Sequence, residues 1–321
     1  MKKFLEKAKK PIKKEIQNFE KEFFNVIKSD VDLINEISNY ILKKKGKMIR
    51  PIFVFLIAKM LGVIQKKTYH TAYLIELVHN ATLVHDDVID NSNLRRGFSS
   101  INSIWKNKIA ILIGDYLLSK SLLVASNNNY LDLLKIICRT INNMSEGELL
   151  QIDKSYDITE KIYDQIIYKK TANLIAASCE CGAISVNANN KDILNMRKFG
   201  TLIGIAFQIK DDLFDYEDNN DIGKPIGIDF KEKKITLPII YTIKKASKND
   251  KSSILYFMKN YNEKKRKDII FIVNKYGGIR YAKKKMMVFY NKALKILELY
   301  PEGTIKESLK IMTKFIVKRN K

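Results

Sequence analysis

An all-α fold, organised as a single large helical bundle over residues 1–321, is predicted by three features of this sequence. Only 5 Pro and 13 Gly interrupt 321 residues, too few for an architecture of strands and turns. Apolar residues recur at the helical period through most of the chain. No strand-rich block and no shift of composition marks a second domain, and a chain that is 46% hydrophobic is long enough to bury one large core.

The elements follow in order. Helical periodicity starts near Lys13 and resumes over residues 32–44. A Lys-Gly turn at Lys45 and Gly46 comes next, and Pro51 opens the following helix, where its missing N–H costs nothing. Residues 68–90, 109–126, 131–152, 160–186 and 192–218 each read as one long helix. Residues 219–234 form an irregular Gly/Pro segment, and shorter helices run from about Leu237, with turn signals at Gly277, Gly278 and Pro301.

The formal net charge of +23 has several readings: nucleic acid, an anionic membrane surface, anionic substrates, or a lysine-rich bias spread over solvated helix faces. The lysines are scattered, without interleaved aromatics or a nucleic-acid motif, so no nucleic-acid partner is expected. Three cysteines, Cys138, Cys179 and Cys181, match neither a disulfide framework nor zinc spacing and suit a reducing cytoplasm. The basic, amphipathic N-terminus carries Glu6, Glu15, Glu20 and Glu22, which argues against a transit peptide. The most apolar stretch, residues 109–125, is broken by Asp115 and Lys120, which argues against a membrane span.

Chemistry concentrates in two Asp-Asp-x-x-Asp clusters: Asp86, Asp87 and Asp90, then Asp211, Asp212 and Asp215. On a helix, positions i, i+1 and i+4 share neighbouring parts of one face. Three carboxylates so close repel unless a cation sits among them. Each cluster follows an apolar helix, and buried unpaired acids are expensive. Oxygen-only ligation favours a hard cation. Magnesium takes one or two carboxylates per ion and fills its shell with water and phosphate oxygens, so two facing clusters would hold a diphosphate between several ions. The ligand spacing and central glycine of a calcium-binding hand are absent. A solvated acidic helix end is the bland alternative for either cluster alone.

Basic groups flank these clusters. Lys47 and Arg50 lie where an anion would meet a helix start. Arg95 and Arg96 are either a structural ion-pair set or a second diphosphate clamp. Lys170, Thr171, Gln208, Lys224 and Lys234 follow. For a lone histidine on an apolar helix face, such as His79 or His70, a core role is the default. His85 stands beside Asp86 and is a candidate to orient it.

In this combination the sequence resembles the trans-isoprenyl diphosphate synthases, the polyprenyl synthetase family, from about Lys44 to Pro238. The family's Gly-Gly-Lys-Arg-x-Arg-Pro element is similar to residues 45–51, with Lys45 in place of Gly and Met48 in place of Arg. The Gly-Lys-Pro-x-Gly-x-Asp loop matches residues 223–229, and of a later Gly-Lys only Lys234 carries over. The resemblance implies a helical bundle around a central cavity. It also implies a magnesium-dependent enzyme with three ions when substrate is bound, manganese being an alternative. Asp86, Asp87, Asp90, Asp211, Asp212 and Asp215 would be the metal ligands. Arg95, Lys170, Gln208, Lys224 and Lys234 would bind the allylic diphosphate, and Lys47, Arg50, His79 and Arg96 isopentenyl diphosphate. Lys170 and Arg95 would assist the leaving group, with Thr171 and Gln208 steadying the allylic cation. The released diphosphate is the implied final base.

The helix turn before the first cluster sets the expected product. Ala81 and Thr82 are small where short-chain members carry a bulky aromatic. With Val78 they define a candidate chain-length pocket, one helical turn being about 5.4 Å. This resembles medium- to long-chain, octaprenyl-type synthases that extend geranyl, farnesyl or geranylgeranyl diphosphate, for a quinone side chain. A short-chain synthase, a terpene cyclase and a non-catalytic subunit of a heteromeric synthase are the alternatives. A homodimer is implied, with at most peripheral membrane contact through the basic N-terminal helix, whose simpler role is to cap the bundle.

Overall fold

The computed structural model describes residues 2–44, 46–154, 158–217, 228–232 and 234–319. Helices α1 (Lys2–Lys9) and α2 (Lys13–Ile27) are joined by a 3-10 turn, Lys10–Ile12, so the helical N-terminus begins earlier than periodicity indicates. α3 (Asp32–Lys43), α4 (Ile49–Leu61) and α5 (Lys66–Ile89) follow. A ribbon of β1 (Leu94–Arg95) and β2 (Phe98–Ser99) precedes α6 (Ile101–Ser126) and α7 (Leu131–Asp153). The long helix expected over residues 160–186 is instead α8 (Glu160–Ile167), a π-helical turn Tyr168–Ala172, and α9 (Asn173–Ile184). Then come α10 (Asn190–Phe214), the short α11 (Ile228–Lys231), α12 (Leu237–Lys245), α13 (Lys248–Lys259), α14 (Glu263–Lys275), α15 (Gly278–Leu297) and α16 (Thr304–Lys318).

Two helices are buried on every side and stand at the centre. Residues 51–58 of α4 are all buried, as are residues 173–183 of α9, the signature of a helix with no solvent face. The others wrap around them: α5 against α6, α10 against α9 and α15, and α16 against α1. The N-terminal helices are fastened by aromatic packing. Phe19 stacks on Phe23 at 5.1 Å and on Tyr73 of α5 at 5.2 Å between ring centroids, each fully buried ring contributing roughly 1.5–3 kcal/mol.

Close approach of α10 to the π turn depends on Gly204. A Cβ there would lie 2.7 Å from Ala172 Cβ and 3.0 Å from the Ala172 carbonyl oxygen, well inside ordinary contact. α6 is long and apolar enough to cross a membrane by length and composition, but it lies along α5 in the bundle with a third of its apolar window buried. It starts eight residues earlier than expected and kinks at Lys106, where φ is 71°.

Candidate active site

Both aspartate clusters sit at helix C-termini. Asp86 and Asp87 close α5 with Asp90 as its C-cap, and Asp211 and Asp212 close α10 with Asp215 as its C-cap. The C-terminal end of a helix carries partial negative charge, so it is the wrong end for three carboxylates unless cations compensate. Asp87 and Asp212 are both 4% exposed, which raises the cost further.

The two helix ends meet at one cavity of about 510 Å³. Asp90 comes to it from the first cluster and Asp212 from the second, with Lys170, Thr171, Gln208, Asp229 and Lys234 between them. Ile152, Ile158, Ile166, Ile167 and Ile235 give it an apolar wall. The π turn delivers Lys170 and Thr171, an insertion that re-aims side chains and recurs at functional sites. Thr171 Oγ1 donates to Gln208 Oε1 at 2.7 Å, and Gln208 Nε2 donates to Asp212 Oδ1 at 2.8 Å. The Tyr163 hydroxyl donates to Asp212 Oδ2 at 2.6 Å. This chain fixes the amide orientation of Gln208. Lys170 pairs with Glu148 on α7. Lys234 lies 3.7 Å from Asp90 and 2.5 Å from Glu232.

Electrostatics report a site built for cations. Burial pushes Asp86 up to about 6, against the pull of Lys170 and with help from Glu148 and Asp90. Burial likewise pushes Asp212 up to about 6, its bonds from Tyr163 and Gln208 opposing and Asp211 and Asp215 adding. Asp229 is raised well above the carboxylate range by burial, then by Asp212 and Asp215. Burial works against the charge of Lys234, yet Asp90 and its acidic neighbours outweigh it and hold the amine above its ordinary range. A divalent cation bound beside carboxyls raised in this way would favour their charged form.

Each cluster is also partly engaged by the protein's own cations. Asp87 turns away from the main cavity and pairs with Arg95, whose Nε donates to Oδ1 at 2.8 Å. Asp211 pairs with Arg319 at 2.7 Å. Arg319 stacks 3.6 Å from the Phe207 ring centroid and donates to the Phe207 carbonyl at 3.0 Å. Asp215 Oδ2 accepts from the Asp229 N–H at 2.7 Å. Among the described residues no three acidic, His or Cys side chains converge as a finished metal cage. The oxygen donors, split between two helix ends, fit magnesium that keeps waters and phosphate oxygens in its shell.

The basic set forms a second locus. Arg95 and Arg96 sit on the β1–β2 ribbon, where Arg96 (φ 55°) and Gly97 (φ 80°) make the tight turn, the primed conformation that hairpins prefer. The two arginines diverge there: Arg95 reaches Asp87, while Arg96 donates to the Lys44 carbonyl at 3.2 Å. The guanidinium of Arg96 fills the space of a missing Cβ at Gly46, 2.6 Å from where it would stand. Arg50 is held down to about 10 by burial, which Glu76 opposes and Arg96 reinforces. His79 is held well below its ordinary range by burial and by Arg50, Arg96 and Arg95. Its imidazole is therefore neutral at pH 7. Lys47 Nζ stands 5.3 Å from the Phe315 ring centroid. The structure thus brings Arg50, His79 and Arg96 together beside the first cluster.

Not every expected residue lies on the cavity. Val78 and Ala81 are fully buried in the main core, and the Thr82 hydroxyl bonds the His79 carbonyl; none of the three lines the cavity. His85 Nε2–H donates to the Ile111 carbonyl at 3.2 Å and lies 3.4 Å from Asp115, so its ring is engaged by α6. Lys224 lies outside the described residues. Several residues escaped sequence reasoning. Tyr163, Glu148 and Arg319 belong to no local motif, and Glu76, 6% exposed between two arginines, hides in an apolar helix. Asp229 was visible as the last residue of the Gly-Lys-Pro-x-Gly-x-Asp loop.

The sequence profile of the polyprenyl synthetase family matches residues 31–275. The chain is 31% identical over 299 residues to the octaprenyl diphosphate synthase of Escherichia coli, covering 92% of this chain and 93% of the relative. It is 32% identical over 289 residues to a short chain isoprenyl diphosphate synthase of Methanothermobacter thermautotrophicus, covering 88% and 89%. Among solved structures it superposes on a polyprenyl synthase from Caulobacter crescentus complexed with calcium and isoprenyl diphosphate. That match has a TM-score of 0.93 and 27% identity, over 99% of this chain and 98% of that one.

Proposed function

Because the chain belongs to the polyprenyl synthetase family, and is therefore a prenyltransferase that makes trans-prenyl diphosphates, we propose that it extends an allylic diphosphate with successive isopentenyl units to a medium or long all-trans product. The observation that carries the reading is the meeting of Asp90 and Asp212 with Lys170 and Lys234 on one cavity that also has an isoleucine wall. A diphosphate suits the charged end and a growing hydrocarbon the other.

Asp86, Asp90, Asp211, Asp212 and Asp215 would hold magnesium, which neutralises charge on a departing diphosphate when bound. Asp87 would act beside them through Arg95. Lys170, Lys224, Lys234 and Arg95 donate to the allylic diphosphate. Removing Lys170 from Glu148 requires only a competing anion of higher charge, and phosphate oxygens supply it. The Thr171–Gln208–Asp212 chain presents oxygen dipoles beside the site of bond cleavage, where they stabilise positive charge as it develops. Lys47, Arg50 and Arg96, with neutral His79 as a hydrogen-bonding partner, hold isopentenyl diphosphate and orient its double bond. With no suitable side-chain base in that set, the diphosphate released takes the final proton.

Val78, Ala81 and Thr82 stand off the cavity, on the α5 turn before the first cluster, so their small side chains favour the longer product, of the kind that makes a quinone tail, by leaving room for a chain that passes beyond the isoleucine wall. A homodimer in the cytoplasm, joined through the outer face of α6, completes the reading. Ile111, Leu112 and Leu123 are exposed there, a face that an isologous contact would bury.

Mass analysis of products from labelled isopentenyl diphosphate with geranyl, farnesyl or geranylgeranyl diphosphate tests the proposal. Condensation that stops with a chelator and returns with magnesium is expected. Turnover after metal is stripped would refute the metal assignment, and products no longer than geranylgeranyl would refute the product assignment.

A further inference from the structure

Positive charge is not evenly spread over this protein. Residues 244–295 carry 16 Lys and Arg against 3 Asp and Glu, more than half of the net +23 in about one-sixth of the length. They form the end of α12 and all of α13, α14 and most of α15, consecutive helices packed side by side. Each of the last three has one edge in the main core, through Ile254, Ile269 and Ala282.

On the outward side each helix repeats one pattern. A lysine is followed four residues later by an exposed apolar side chain and, four later again, by a second lysine. The triplets are Lys251, Leu255, Lys259; Lys267, Phe271, Lys275; and Lys284, Val288, Lys292. Positions i, i+4 and i+8 fall on one helix face. Leu255 is 41%, Phe271 71% and Val288 43% exposed, and Tyr256 (59%) stands beside Leu255. α13 and α14 run antiparallel: Lys275 Nζ meets Asp250 at 2.7 Å at one end, and Lys265 Nζ lies 4.8 Å over the Tyr256 ring toward the other. The few acids are Asp250, held by Lys275 and Tyr276, Glu263 and Asp268. The first turn of α14 is tied to the second aspartate cluster, since Arg266 donates to the Asp215 carbonyl at 3.0 Å.

We propose that the outer face of α13–α15 seats this protein on an anionic lipid bilayer, with the lysines on headgroup phosphates and Leu255, Tyr256 and Phe271 in the headgroup–acyl boundary. Lysine stems lie along apolar surface while their amines reach for charge, and a basic face studded with aromatic and aliphatic residues is the composition of an interfacial surface. A second copy of the chain is disfavoured, because an isologous contact would set this charge against itself. Nucleic acid would leave Leu255 and Val288 without a role, since bases stack on aromatic rings. The N-terminal helices spend their apolar edge on the core through Ala8, Ile12 and Phe19, leaving Phe4 as their exposed apolar contact. If the cavity makes a long prenyl product, this seating brings its rim close to the bilayer that receives it; the face itself does not depend on that reading.

The test is co-sedimentation of the full chain with vesicles of 30% phosphatidylglycerol in phosphatidylcholine, and of phosphatidylcholine alone, at ~0.1 and ~0.5 M NaCl. Binding to the anionic vesicles at low salt, and its loss in neutral vesicles, is expected. Lys251→Gln, Lys259→Gln, Lys267→Gln and Lys284→Gln together should weaken it by roughly two orders of magnitude or more, at about fivefold per surface lysine. Phe271→Ser should weaken it again without changing the salt slope, and the emission of Phe271→Trp should shift to the blue on anionic vesicles. Melting temperature and condensation of soluble substrates should stay at wild-type values in all of these. Absence of binding at low salt would overturn the proposal. So would wild-type binding by the quadruple variant, or loss of binding in Lys3→Gln, Lys7→Gln, Lys10→Gln instead. Tighter binding to single-stranded RNA than to vesicles, indifferent to Phe271→Ser, would assign the face to nucleic acid.

Discussion

Gly204→Ala tests whether helix packing sets the catalytic geometry. The added Cβ would stand 2.7 Å from Ala172 Cβ and 3.0 Å from the Ala172 carbonyl oxygen, where carbon contacts settle at about 3.5–4.0 Å. Ala172 closes the π turn and its backbone cannot rotate away as a long side chain would. α10 must therefore move outward by roughly 1 Å, a displacement inferred from that contact deficit. Gln208 follows Gly204 by one helical turn and Asp212 by two, so the shift opens the Thr171–Gln208 bond of 2.7 Å. Overpacking of this kind costs about 1–3 kcal/mol, which in a chain of this size lowers the melting temperature by roughly 1–5 °C. Misplacement by about 1 Å can cost up to ~100-fold in turnover. Calorimetry and steady-state kinetics would measure both. The KM for isopentenyl diphosphate should change little, since Arg50 rides on α4 and Arg96 on the β ribbon. Gly303→Ala, where a Cβ meets nothing within 4 Å, is the control. A Gly204→Ala enzyme with wild-type melting and turnover would refute the packing argument.

Three further outcomes are expected. In metal-free protein, Asp86 and Asp212 sit at about 6 against an ordinary 3.8. The folded state then holds more protons than the unfolded one across that window, and stability falls as pH rises through it, by up to about 3 kcal/mol per group. Melting should therefore drop from pH 5 to 7 and be restored at pH 7, but hardly at pH 5, by magnesium with inorganic diphosphate; a flat or rising profile contradicts the burial of these acids. Arg319→Gln removes a guanidinium whose side chain is 7% exposed from Asp211, which is 36% exposed, so the loss is about 1–2 kcal/mol, less than for a fully buried pair. The magnesium concentration for half-maximal activity should fall, and an unchanged requirement means Arg319 and metal do not compete at Asp211. Ala81→Phe should shorten the product while sparing the first condensation, with a melting loss of about 1–3 kcal/mol for overpacking a fully buried position; chromatography showing an unchanged length distribution removes the pocket at the end of α5.

What could be read without coordinates was local. The helical period, the two aspartate triplets and the Lys47–Arg50 turn each lie within a few residues, and their chemistry is a property of that spacing. A helix that is apolar up to Leu83 and then turns acidic at Asp86 announces its own need for cations. The π turn at Tyr168–Ala172 was not legible, because an α-helix with one added residue keeps nearly the same apolar pattern on either side. Nor was the two-residue ribbon, in which Arg95 on β1 reaches Asp87 while Arg96 in the turn lies against Gly46.

Long-range partnership belonged to the tertiary structure alone. Arg319 stands 108 residues beyond Asp211, Tyr163 approaches Asp212 from another helix, and Glu76 looks like any polar interruption until Arg50 and Arg96 are seen beside it. A sequence states which charges exist and along which helix they run. Whether a carboxylate meets a guanidinium, a hydroxyl or an open cavity depends on how helices distant in the chain are packed, and here that packing rests on contacts such as Gly204 against Ala172 that carry no charge at all.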